Sequence, residues 1–225
     1  MSRKSAKDKV NVIISRLKKR YPEELRTGLH YRNPWELLVA TMLSAQSQDA
    51  QVNKVTPALF RKYPNITDYL NKKPSDIYPY VRTLGIFRNK SKNIIKAAHY
   101  IHDNFDDRVP KRMEQLVQIP GVGRKTANVV QGNAFKLIEG IAIDTHCITV
   151  ANRLFLFNTK NAEKIESKMM GFVPKDEWIN VTHLLIALGR DVCTARRKYC
   201  ERCVLNDTCP SSTVKKNSTM LCRAV

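Results

Sequence analysis

Residues 116–127 read Leu-Val-Gln-Ile-Pro-Gly-Val-Gly-Arg-Lys-Thr-Ala. Pro120 ends the helix that arrives before it, because proline lacks an N–H and its ring clashes with the preceding turn. Gly121 and Gly123 permit tight turning and the close approach of another backbone. From Arg124 onward the pattern is helical again, with Ala127, Val130 and Ala134 on one side. The stretch is therefore helix, hairpin, helix. The second helix opens with unsatisfied N–H groups and a positive dipole end, which can hold a DNA phosphate without reading a base. An ordinary helix–helix turn uses the same Pro and Gly; the longer LxxIPGVGxxTA pattern favours the phosphate-binding form. Gly121, Val122, Gly123 and Arg124 are the candidate contacts, and Lys125 stands beside them.

The rest of the chain reads the same way. Apolar residues recur at helical spacing, long alternating runs are missing, and glycine is scarce at 8 residues, so the fold class is all-α. At 33–46, Asn33 can cap a helix, Pro34 suits its first position, and Glu36 follows three after the cap. Trp35, Leu38, Val39 and Met42 would share its inner face. Further helices are expected over about 90–102, 114–118, from Arg124, just after Asp144, and over 176–188 with Gly189 as its end. The apolar residues 10–14 fit one face of an N-terminal helix.

Near the other end the spacing is Cys193-x6-Cys200-x2-Cys203-x5-Cys209. Four thiolates in so short a segment can enclose one metal centre, and tetrahedral cysteine sites mean zinc or iron–sulfur. Spacing alone does not choose between the two. Cys147 and Cys222 lie outside the pattern and read as non-ligands. Arg196, Arg197 and Lys198 fall in the loop between the first two cysteines, where they would form a basic projection suited to phosphate.

Among the 225 residues, 39 Lys and Arg face 20 Asp and Glu, a formal charge of +19. Such an excess opposes compaction and calls for an anionic partner, nucleic acid first. No run approaches the ~18–20 apolar residues of a membrane-spanning helix, and the basic N-terminus lacks a secretory core, so no membrane role is expected. The protein reads as soluble and intracellular, cytoplasmic and nucleoid-associated if prokaryotic, with thiols or metal ligands in place of disulfides.

Four stretches together resemble the endonuclease III family of DNA glycosylases: IPGVGRKTANVV, IAIDTH, NPWELLVATMLSAQSQD and the cysteine pattern. The likeness runs from about residue 33 to 210. The hairpin resembles a helix-hairpin-helix motif, and the cysteine loop resembles that family's [4Fe–4S] loop, which favours iron–sulfur over zinc. The resemblance makes Lys125 the Schiff-base lysine and Asp144 the catalytic aspartate. On its own residues, Asp144 reads equally as the cap of the following helix, and the two roles are compatible. The resemblance implies that Gln46 fills the gap left by a flipped base, and that Ile86 wedges into the stack where the family often has leucine. Bacterial members read Ala-Thr-Asp where this chain has Ser47-Gln48-Asp49; only Asp49 matches. His146 could orient Asp144 or simply pack.

The same resemblance implies a bifunctional DNA glycosylase and abasic-site lyase of base excision repair. It would flip an oxidised pyrimidine such as thymine glycol out of double-stranded DNA, release it through a lysine Schiff base and nick the strand by β-elimination. It would act on damaged or abasic duplexes as a monomer. A monofunctional mismatch glycosylase would generally lack the hairpin lysine, and a non-catalytic DNA-binding module would need neither Lys125 nor Asp144. Two helical lobes are expected: residues 28–138 as a central bundle with the hairpin, and 1–27 plus 139–225 as the lobe with the cluster. DNA would cross the cleft between them.

Overall fold

The computed structural model describes residues 3–22 and 27–214. Cys222 and the tail beyond residue 214 lie outside the described residues. The helices are α1 (Arg3–Arg20), α2 (Pro34–Ser44), α3 (Asp49–Lys62), α4 (Pro74–Val81), α5 (Phe87–Phe105), α6 (Met113–Leu116), α7 (Arg124–Val130), α8 (Thr145–Phe155), α9 (Ala162–Met170) and α10 (Trp178–Asp191). Among the described residues there is no β-strand, only an isolated bridge between Cys193 and Lys198. None of the helices is long and apolar enough to cross a membrane. The chain forms two compact units: a terminal unit of Met1–Leu25 with Ile143–Val225, and a central unit of Arg26–Ala142.

The central unit is built around α2. Asn33 caps it as its sequence predicts, with the Glu36 N–H donating to Asn33 Oδ1 at 2.9 Å. The Glu36 carboxylate turns to the N–H and guanidinium of Arg32 instead of the cap. Every residue from Trp35 to Leu43 is buried, a wider apolar surface than the single face expected. The reason is that α3, α5 and α7 all pack on it, so no side of the helix meets solvent. Burial of each large aliphatic side chain here contributes ~1.5–3 kcal/mol. The helix stops at Ser44, two residues before Gln46. α5 is longer than its pattern suggests, and left-handed residues, Ile86 and Asp106, flank its ends. α7 runs on into a π-turn at Gln131–Phe135.

In the terminal unit α1 buries Val10, Ile13, Ile14 and Leu17 and packs on α10, while α8 lies against both α9 and α10. Gly189 does not end α10, which continues to Asp191. Its role is close packing: a Cβ at Gly189 would lie 3.0 Å from His146 Cβ and 3.3 Å from Val150 Cγ2 on α8. His146 therefore packs against α10.

Candidate active site

α6 and α7 are the arms of the hairpin. Between them Gly121 takes φ 81°, which glycine adopts without steric cost. A Cβ at this position would lie 2.8 Å from Asn93 Cβ on α5, so the turn is also the place where the hairpin presses on α5. Val122 is buried and its N–H donates to Ile119 O at 3.0 Å; it anchors the hairpin from within and does not face solvent. Gly123 is the N-cap of α7, with extended backbone and open space around it. It supplies no side-chain cap, so the first-turn N–H groups of α7 suit an anion. Arg124 and Lys125 are the first two residues of α7, and both are exposed.

Asp144 belongs to the terminal unit. Its Oδ1 accepts the Cys147 N–H at 2.7 Å, which makes it the N-cap of α8. A carboxylate has about four lone-pair directions, so capping orients the group and leaves acceptor capacity for other work. Cys147 itself is buried in α8 and its thiol donates to Thr182 O at 3.6 Å; it stands apart from the other cysteines.

Gln46 and Ile86 both stand in the left-handed region, at φ 55° and φ 50°, and both are exposed. Ile86 is the N-cap of α5 and is 50% exposed, so it is not part of the core. Their two turns meet: a Cβ on Gly85 would lie 3.8 Å from Gln46 O.

Cys193, Cys200, Cys203 and Cys209 line one cavity, together with Leu154 and Leu188. Burial, opposed by the Leu205 N–H and reinforced by the neighbouring thiols, pushes the Cys203 thiol above the usual range. Burial likewise raises Cys209, opposed by the Ser211 N–H and reinforced by Cys193 and Cys200. That mutual repulsion is what a cationic metal centre relieves. Among the described residues no three side chains of the metal-ligating types are grouped so as to hold a single ion.

Sequence reasoning missed the residue that holds this loop. Arg153, near the end of α8, donates from Nη1 to Cys193 O at 3.1 Å, Cys193 Sγ at 3.2 Å and Thr194 O at 2.8 Å. It lies 40 positions from Cys193, and nothing in the local pattern marks it. In the loop itself Arg196 and Arg197 are exposed, whereas Lys198 turns inward and donates to Ser211 O at 2.8 Å. Lys198 is thus a brace of the loop and not part of a basic projection.

An all-helical chain carrying such a hairpin, with a lysine at the head of the second arm, defines the helix-hairpin-helix class of DNA repair proteins. Residues 39–175 match the family model of the HhH-GPD superfamily of base excision DNA repair proteins. The chain is 43% identical over 208 residues to endonuclease III of Synechocystis sp., covering 92% of this chain and 94% of that protein. It is 37% identical over 197 residues to endonuclease III of Escherichia coli (strain K12), covering 88% and 92%. Among solved structures it superposes with a TM-score of 0.85 on a trapped covalent endonuclease III–DNA intermediate, at 36% identity and covering 94% of this chain and 97% of that one. A thermostable thymine-DNA glycosylase shares the fold, with a TM-score of 0.81 at 22% identity over 91% of this chain and 96% of that one. The chain belongs to the endonuclease III family, the DNA glycosylases and abasic-site lyases of base excision repair.

Proposed function

We propose that this protein excises oxidised pyrimidines such as thymine glycol from double-stranded DNA, with Lys125 as nucleophile and Asp144 as its partner. The observation that carries the assignment is the lysine's place: second residue of a helix that opens on an uncapped glycine, directly after a hairpin locked onto α5. The hairpin holds a backbone phosphate near the lesion. The damaged nucleotide leaves the stack, and Gln46 and Ile86 occupy the space. Neutral Lys125 Nζ attacks C1′; the C1′–base bond breaks and the base departs with the bonding electrons. Asp144 accepts the amine's proton and stabilises positive charge on the sugar. The sugar ring opens to an imine on Lys125. Loss of a C2′ proton then expels the 3′ phosphate, which leaves a nicked strand. The covalent DNA complex known for an endonuclease III supports such an intermediate.

We infer that Cys193, Cys200, Cys203 and Cys209 would hold a [4Fe–4S] cluster; the convergence of all four thiols on one cavity supports this. Four thiolates on one cluster would close residues 193–209 into a loop. Arg153 and Lys198 shape that loop from the protein side, and exposed Arg196 and Arg197 meet phosphate. The protein works inside the cell as a monomer.

Borohydride trapping tests the assignment. Wild-type protein should form a covalent complex with duplexes carrying thymine glycol or an abasic site, and Lys125→Gln should form neither. Normal trapping by that variant would remove Lys125 from its role. Trapping on the abasic duplex alone would keep the lyase and move the base specificity elsewhere.

A further inference from the structure

Lys90 stands one turn into α5, and its side chain is only 4% exposed. Its ammonium donates to Ser47 Oγ at 2.7 Å, while its N–H donates to Ile86 O at 3.2 Å. One residue thus bonds to both of the turns that carry Gln46 and Ile86. Burial lowers its pKa, and no carboxylate offsets that effect. A cation buried against a neutral hydroxyl is a poor device for stability, because desolvation outweighs what one such bond returns. The backbone on either side of the bond is also unfavourable. Gln46 and Ile86 both have positive φ, and for a β-branched residue that conformation is a marked outlier. Such conformations persist when surrounding contacts enforce them, and they gather where a protein must hold a shape ready. Here the two enforced residues are exposed and adjacent, and the buried lysine lies behind both.

We propose that Lys90 and Ser47 are a positioning pair that clamps the Gln46 and Ile86 turns into one rigid wedge, set before DNA arrives. The pair touches no reacting atom. It acts through the two side chains that enter the base stack, and it rests on the proposed role of Gln46 and Ile86 in filling that stack. With the clamp intact, the left-handed turns need not form during base extrusion. Without it they relax, and extrusion must restore them.

The test uses the full chain and a duplex with thymine glycol beside a 2-aminopurine, whose fluorescence rises as the stack opens. Ser47→Ala removes the acceptor, Lys90→Met removes the donor, and Ser47→Thr keeps the hydroxyl. Both Ser47→Ala and Lys90→Met should slow the fluorescence rise and single-turnover base release by about ten- to hundredfold. The double variant should be no slower than the worse single one, and Ser47→Thr should retain the wild-type rate. Affinity for undamaged duplex should stay unchanged in all four, as a general loss of structure would not allow. Wild-type extrusion in Ser47→Ala, or multiplied effects in the double variant, would overturn the pairing. Gln46→Ala and Ile86→Ala run alongside separate the two ideas. If they slow extrusion and Ser47→Ala does not, only the clamp fails; if they too leave extrusion unchanged, the wedge reading falls and the clamp with it.

Discussion

On the function proposed above Asp144 has two duties on one side chain, cap and catalyst, and a single substitution tells them apart. Its Oδ1 caps α8 through the Cys147 N–H. In Asp144→Asn the amide oxygen can still accept that bond, so stability should fall by less than the ~1 kcal/mol that loss of a cap costs. The amide can neither accept the lysine's proton nor stabilise positive charge, so base release should drop by ~10²–10⁴-fold. Thermal melting and single-turnover kinetics on the same sample would show the split; an equal loss in both would reduce Asp144 to a cap. The four cysteines stand out in the sequence by their spacing, whereas the roles proposed for Lys125 and Asp144 rest on the motifs that carry the family resemblance. Lys90 and Ser47 do not stand out, since their bond spans 43 positions and neither residue type is unusual where it stands.

Elements meet through a few close approaches, and the α8–α10 contact is the tightest of consequence. Gly189→Ala would gain ~1 kcal/mol in helix propensity. It would also place a methyl 3.0 Å from His146 Cβ, a group that cannot swing away. Overpacking costs ~1–3 kcal/mol, so the net effect should be destabilising, with α8 displaced two residues from Asp144. Excision should therefore weaken along with melting temperature; a more stable, fully active variant would mean α8 yields freely. The pattern of residues 176–188 made Gly189 an end because glycine so often follows a last turn, yet packing against another helix is an equally good use of a missing side chain.

The Lys18–Glu177 ion pair, at 2.5 Å, joins α1 to the start of α10. Burial pushes the Glu177 carboxyl up, but the bonds from Lys18 and Asn180 outweigh it and hold the group below its usual range. A depressed folded-state pKa means stability that is complete above the unfolded value and lost as pH falls through the folded one. Glu177→Gln should thus cost a little at neutral pH, ~1 kcal/mol or less because Lys18 is partly solvated, and nothing once the acid range is passed. Denaturant melts at neutral and strongly acidic pH would check this; a constant difference would deny the pair any role.

Across the whole molecule, charge governs how the protein meets DNA. A balance of +19 on 225 residues should make binding to undamaged duplex weaken steeply with salt, with a slope of ~0.9 per phosphate neutralised. Replacing exposed Arg196 and Arg197 together by glutamine should lower that slope by about 2 while lesion choice stays the same. Titrations across salt concentrations would measure it, and a flat dependence would contradict the phosphate-binding picture. The all-α class was legible from periodicity, but α3, α4 and α9 were not among the helices expected from it. The burial of α2 on all sides was not legible either, because a sequence shows which residues are apolar but not how many neighbours will surround them.

The terminal unit draws on both ends of the chain, and that has a consequence for synthesis. α1 is made well before the groups it bonds to, Leu154, Glu177, Asp191 and Asp207. At ~5–20 residues per second, α1 waits roughly 10–40 s for them. All of Arg26–Ala142 emerges within that interval. The central bundle can therefore be complete while a basic, half-apolar helix still dangles from its start. The apolar face of that helix, Val10, Ile13, Ile14 and Leu17, therefore stays uncovered until α10 has been made.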